Sequence, residues 1–141
     1  MTGTGYIPDG PVLVDTSAWI CFFSRKGFES LKETVALLLD ENRAAIAGPI
    51  LVELIQGCRT EKEKGQLKEV FEGTLWHTVT DEIWRHAADL GFSLRRKGVP
   101  VPAMDSLIAA IAIYCDCALL HYDSDFTLIS RHTRLRQYSA R

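Results

Sequence analysis

A chain of 141 residues, 47% hydrophobic and 24% charged, has the make-up of one globular domain and excludes a disordered chain or a coiled coil. Its formal net charge of -2 excludes nucleic-acid binding through the overall field, so any such contact must come from local basic groups. No apolar run can cross a bilayer, since Leu107–Leu120 carries Asp116, and Met1–Gly10 lacks the layout of a signal peptide, so a cytoplasmic protein without a membrane partner is expected.

The first element is the apolar run Val12-Leu13-Val14, which suits a strand buried on both faces and ends on Asp15. Thr16 or Ser17 is expected to cap a short helix through Ala18–Phe23 that stops near Gly27, with Arg25 and Lys26 in its last turn. Phe28–Asn42 carries Leu31, Val35, Leu38 and Leu39 at helical spacing. Ala44–Ala47 reads as a second strand, and Pro49 opens a helix to Cys58 on which Ile50, Leu54 and Cys58 form one apolar line. Glu53 lies on the polar side of that helix, either as a solvated surface residue or as a carboxylate reaching a crevice at the strand ends.

Thr60–Glu72 is an amphipathic helix with Leu67, Val70 and Phe71 on one side, and Trp76–Val79 a short strand. Thr80 caps the helix Asp81–Lys97, which turns Ile83, Ala87, Leu90 and Leu94 inward and stops at Gly98. Its basic end, Arg95-Arg96-Lys97, either complements the helix dipole or contacts phosphate. Val99–Pro102 must be extended, and the helix that follows is apolar nearly all round, with Asp105 in its first turn as a dipole-favoured cap or as a chemical group. Cys117–Leu120 forms another buried strand that ends on His121-Tyr122-Asp123-Ser124-Asp125, and Phe126–Ser130 adds a helical turn. The sequence closes on a basic tail, 131–141, in which Leu135 and Tyr138 can pack or form a last strand; 1–10 is expected to be a flexible segment.

The four cysteines sit inside apolar patterns, which fits buried reduced thiols; no second Cys or His pair at finger-like spacing completes a zinc site around Cys115 and Cys117. Strands alternating with helices predict an α/β domain, a parallel sheet of about four to five strands flanked by helices on both faces. Such a sheet carries all strand carboxyl ends on one edge, so Asp15 and Asp123 converge if their strands are neighbours, with Glu53 and Asp105 entering from helix starts. Four carboxylates together repel, and either take up protons or hold a cation; all-oxygen ligands suit Mg²⁺ or Mn²⁺, which serve phosphate-ester hydrolysis well.

Asp15-Thr16-Ser17 after the first strand, Glu53 ahead of Gly57, Asp105–Ala110 and Asp123-Ser124-Asp125-Phe126 stand in the order seen in the PIN-domain ribonucleases. From Val12 to about Phe126 the chain resembles the VapC-type toxins of bacterial and archaeal toxin–antitoxin systems. The resemblance implies a single PIN-like domain whose catalytic metal site is built from Asp15, Glu53, Asp105 and Asp123, with Ser17 and Asp125 in support. It implies endonucleolytic cleavage of RNA with Mg²⁺ or Mn²⁺ and a water nucleophile, a homodimer, and a small antitoxin that sets a basic side chain among the acids. Many family members carry Thr where this chain has His121, which is either an ordinary strand-end histidine or a group that titrates near neutral pH or touches phosphate. Arg95, Arg96, Lys97, Arg131 and Arg134 are the candidates for an RNA path.

Other classes fit less well. A phosphoaspartate phosphatase of the haloacid dehalogenase class needs a second Asp where Ser17 stands, a response-regulator receiver needs an acidic pair and a late Lys, and no Gly-rich phosphate loop follows the first strand. An antitoxin or DNA-binding repressor would need a basic recognition helix. The alternative from another class is a PIN-like module that binds RNA or protein without cutting, which has no need of all four acids.

Overall fold

The computed structural model describes residues 7 and 9–139. Most of the segment expected to be flexible, residues 1–6 and 8, and the last two residues of the basic tail lie outside the described residues.

Among the described residues, five strands alternate with seven helices. The order is β1 (Val12–Val14), α1 (Thr16–Phe23), α2 (Glu29–Asp40), β2 (Ala44–Ala47), α3 (Gly48–Gln56), α4 (Glu61–Glu72), β3 (Leu75–His77), α5 (Asp81–Arg96), α6 (Ala103–Tyr114), β4 (Ala118–His121), α7 (Ser124–Ser130) and β5 (Gln137–Ser139). The strands form one sheet in the order β3-β2-β1-β4-β5, and every pairing is parallel. The chain steps from β1 outward to β2 and β3, then returns to the other side of β1 for β4 and β5. With right-handed crossovers, that reversal puts α1–α4 on one face and α5–α7 on the other. It also makes the gap between β1 and β4 the place where the strand order switches, and ligands of open α/β sheets bind outside the strand carboxyl ends at such a point.

The strands are short because little else is needed of them. Val12, Leu13 and Val14 are fully buried, as are Leu119 and Leu120 of β4 beside them. Helix α6 packs Leu107 through Ala112 into the interior, and Trp19 of α1 sits fully buried among Phe22, Phe23 and Phe71. Each fully buried Leu or Ile of this core contributes about 1.5–3 kcal/mol. Thr80 caps α5 by accepting the Ile83 N–H, and Gly98 supplies the positive φ of 78° with which the chain leaves that helix.

Three local expectations need correction. Helix α1 ends at Phe23, not near Gly27, because Ser24 is extended (ψ 141°) and its hydroxyl accepts the Lys26 N–H; Arg25 and Lys26 therefore lie beyond the helix. Strand β3 runs Leu75–His77, ending before Thr78 and Val79, since its register pairs Ala45 with Leu75 and Ala47 with His77. Strand β4 starts at Ala118 and includes His121. The last strand that Tyr138 allowed is present as β5, paired with β4 through Leu119 and Gln137.

Candidate active site

Asp15 follows the last residue of β1 and is hydrogen-bonded across to β4, its N–H donating to the Leu120 carbonyl at 2.9 Å. It is also the N-cap of α1, a role expected of Thr16 or Ser17: the carboxylate, one residue earlier, already satisfies the free donors of the first turn. Its Oδ2 accepts from the Ser17 N–H at 3.0 Å and from the Ser17 hydroxyl at 2.6 Å, and Ser17 Oγ in turn accepts the Tyr122 N–H at 2.8 Å. Ser17 thus ties the end of β1 to the turn after β4. Asp15 is only 5% exposed, and this burial raises its pKa; the hydrogen bonds from Ser17 and Thr16 oppose the rise, while the Glu53 charge adds to it.

Glu53 is exposed on α3, yet it is tethered to the site: the Thr16 hydroxyl donates to Glu53 Oε1 at 2.8 Å. The second cluster lies across the crevice. Carboxylate oxygens of Asp105, in the first turn of α6, and of Asp123 and Asp125, around the start of α7, lie within 4.8 Å of one another, and all three residues are half-buried. Asp123 caps α7, its Oδ1 accepting the Asp125 N–H at 2.9 Å. Burial above all, then the Asp123 charge, a hydrogen bond with Asp125 and the charges of Asp15 and Asp125, push the Asp105 carboxyl up to about 8. The crevice is an accumulation of negative charge that one of its members relieves by keeping a proton.

His121 is fully buried, so its side chain cannot meet a phosphate in the crevice; it serves the site from behind. Its Nδ1 accepts the Asp123 N–H at 3.0 Å, and its Nε2 lies 2.6 Å from Gln137 Oε1 on β5. Of the basic candidates, Arg95 and Arg96 end α5 and Lys97 is its C-cap. The six residues 97–102 join that end to the start of α6, so the triplet lies at the same end of the helix pair as Asp105. The Arg96 guanidinium lies 5.8 Å from the Phe92 ring centre. Arg131 is the C-cap of α7. Arg134 lies over the Tyr114 ring at 5.2 Å, at the far end of α6, roughly 13 Å along the helix from Asp105.

Two grooves are present. An apolar one, about 1100 Å³, passes Pro49, Val52, Trp76, Trp84, Phe92 and Met104; the other, about 710 Å³, runs from Ile20 and Phe23 to Glu53 itself.

The donors that converge are all carboxylate oxygens, in excess of any proton they hold, which fits a hard divalent cation and not zinc. Asp105, Asp123 and Asp125 could hold it, with Asp15 close enough for its charge to act on Asp105. Sequence reasoning singled out every carboxylate here, but gave Asp125 only a supporting place. It missed the Thr16–Glu53 tether and Gln137, which touches the site through a contact 16 residues away in the chain for which no local pattern exists.

Comparison with known proteins bears on the family and the fold. A family model described as PIN domain matches residues 12–131. The chain is 35% identical over 133 residues to ribonuclease VapC11 of Mycobacterium tuberculosis and to VapC ribonuclease Mb1587 of Mycobacterium bovis, covering 92% of this chain and 99% of each relative. A DNA-bound VapBC structure from Salmonella typhimurium superposes with a TM-score of 0.79 at 21% identity, covering 94% of this chain and all of that one. VapBC2 from Rickettsia felis, bound to a promoter DNA fragment, gives 0.75 at 21% identity over 91% of this chain and 97% of that one. At such identities the structural likeness is one of fold.

Proposed function

Because this chain belongs to the PIN-domain family, we propose that it is a divalent-metal-dependent endoribonuclease, acting in the cytoplasm as the toxin of a toxin–antitoxin pair. The observation that carries the reading is the cluster of Asp105, Asp123 and Asp125 beside Asp15 at the carboxyl ends of β1 and β4, with Glu53 tethered by Thr16, where burial and mutual repulsion push the Asp105 carboxyl pKa up. The ribonuclease names of its 35%-identical relatives supply the substrate class.

A bound Mg²⁺ or Mn²⁺ supplies charge neutralisation at the phosphate oxygens and makes water more acidic. The protein's part is to hold and orient. Asp105, Asp123 and Asp125 would hold the cation, with Asp105 in its ionised form, as ligand carboxyls must be. Ser17 places both of its hydrogen bonds on Oδ2 of Asp15. Thr16 keeps Glu53 within reach of the same crevice. A water oxygen attacks phosphorus, its proton passing to a crevice carboxylate, and the bond from phosphorus to the 3′ oxygen breaks, that oxygen taking a proton from solvent, which leaves a 5′-phosphate and a 3′-hydroxyl. The ribose 2′-hydroxyl takes no part. Arg95, Arg96, Lys97 and Arg131 are assigned to the RNA backbone; Arg134 is held over the Tyr114 ring at the far end of α6 from Asp105.

The grooves support the partners. Val52, Trp76, Trp84 and Phe92 are each more than half exposed, an apolar face of the kind that a second copy of the chain covers in a homodimer. Exposed Ile20 and Phe23 lead to Glu53, which suits an antitoxin segment that lays apolar side chains in the groove and a basic one among the acids.

The test is incubation with structured RNA in Mg²⁺ or Mn²⁺ and in chelator, beside Asp15→Asn and Asp105→Asn. Cleavage that needs the metal and is lost in both variants supports the reading. RNA that is bound but stays whole with every metal would make the chain a binding module, and equal cleavage by the variants would place the activity outside these acids.

A further inference from the structure

We propose that His121 and Gln137 act as a positioning pair for Asp123, which makes the C-terminal strand β5 a working part of the acid cluster. The proposal rests on the reading of that cluster as a cation site.

Where β4 ends, the chain must leave the sheet within two residues and still present a carboxylate to Asp105. The two backbone N–H groups of that turn, at Tyr122 and Asp123, lose their ladder partners there. Each is met by a side chain from a different direction: Ser17 Oγ takes Tyr122 N–H at 2.8 Å from the β1 side, and His121 Nδ1 takes Asp123 N–H at 3.0 Å. Asp123 is then fixed at both ends, since its own carboxylate caps α7 through Asp125 N–H.

The second bond works only with one form of the ring. A backbone N–H can only donate, so Nδ1 is the acceptor and the ring proton stands on Nε2. That proton points at Gln137 Oε1, 2.6 Å away. Gln137 pairs with Leu119 in the parallel ladder and Ser139 with His121, so Gln137 and His121 share one face of the sheet and their side chains meet along it. The ring is fully buried and rests against Phe126, with centroids 5.2 Å apart, so it cannot reach water for an alternative partner by a small movement. Removing the Gln137 oxygen takes away the acceptor that holds the proton on Nε2, which lets the proton move to Nδ1 or the ring turn. Either change breaks the bond to Asp123.

The experiment compares the full-length wild type with Gln137→Leu, which removes the acceptor, and Gln137→Asn, which withdraws it by one methylene while staying polar. Three readouts are taken: the ¹⁵N-edited NMR spectrum of the metal-free histidine rings, Mn²⁺ affinity by calorimetry, and the thermal melt. The wild type is expected to show His121 protonated at Nε2 alone. Loss of a partner that orients a ligand typically weakens metal binding about 10- to 100-fold, which is expected of Gln137→Leu and Gln137→Asn. A wild-type His121 protonated at Nδ1 overturns the proposal whether or not any variant folds. So does undiminished Mn²⁺ affinity in a folded Gln137→Leu or Gln137→Asn. A wild type that binds no Mn²⁺ overturns instead the cation reading on which the proposal stands, so the two failures are told apart.

Discussion

Replacing Asp105 by asparagine is expected to stabilise the metal-free protein while destroying its use for a cation. An ordinary aspartate in the unfolded chain loses its proton near pH 4, whereas Asp105 in the folded chain keeps it up to about 8. Between those values the folded state binds the extra proton, so the wild type loses stability as pH rises. Each pH unit across the gap is worth about 1.4 kcal/mol, and the roughly three units up to pH 7 set a ceiling of about 4 kcal/mol. The carboxyl is half-buried, and solvent screening brings the effect to on the order of 1–3 kcal/mol. Asparagine never ionises and escapes this cost. In chelator at pH 7, Asp105→Asn is expected to melt roughly 3–10 °C above the wild type. The difference should be small near pH 4, grow as pH rises, and level off above about 8. Excess Mn²⁺ should then raise the wild type and leave the variant nearly unmoved, reversing the order. A variant that melts below the wild type by the same margin at pH 5 and pH 8 in chelator would refute the reasoning, since it would mean that the acids impose no strain on one another.

Ser17→Ala removes the 2.6 Å hydrogen bond to Asp15 and leaves Tyr122 N–H without its acceptor; a loss of about 1–3 kcal/mol in urea unfolding is expected, with Mn²⁺ affinity down about 10-fold or more. Glu53→Gln keeps an oxygen for the Thr16 hydroxyl at an exposed position, so unfolding should shift by less than about 0.5 kcal/mol while RNA cleavage falls, as single-turnover kinetics would show. Gly27→Ala is expected to destabilise by about 1–3 kcal/mol in the same unfolding assay, because its Cβ would run into the Cys21 carbonyl oxygen and stand 2.7 Å from Cys21 Sγ.

The parts of the fold legible in the sequence are those written as continuous patterns. Val12–Val14 and Ala44–Ala47 are apolar runs too short for helices, and both are buried strands; Thr80, the inward Ile83, Ala87 and Leu94, and Gly98 bound α5 as their spacing predicts. From parallel strands alone it followed that Asp15 and Asp123 meet, provided that β1 and β4 are neighbours, and they are. What could not be read depends on local competition or on distant contacts. The cap of α1 went to Asp15 because a carboxylate at the strand end already reaches the Ser17 N–H. The end of α1 was set by Ser24 and by the close packing of Gly27 on Cys21, which no periodicity encodes. Asp125 was named only as support because its approach to Asp105 depends on how α7 is set against α6. Gln137 carries no motif; it matters only because β5 lies beside His121.

The measurement that tests the account most directly is RNA cleavage in ¹⁸O-labelled water with Mn²⁺ present, the product ends then being weighed by mass spectrometry. The account predicts that label enters the 5′-phosphate of one product and that the other ends in an unmodified 3′-hydroxyl, with neither formed by Asp105→Asn. Unlabelled 2′,3′-cyclic phosphate ends would contradict it, because the nucleophile would then be the ribose hydroxyl and not a water held among these carboxylates.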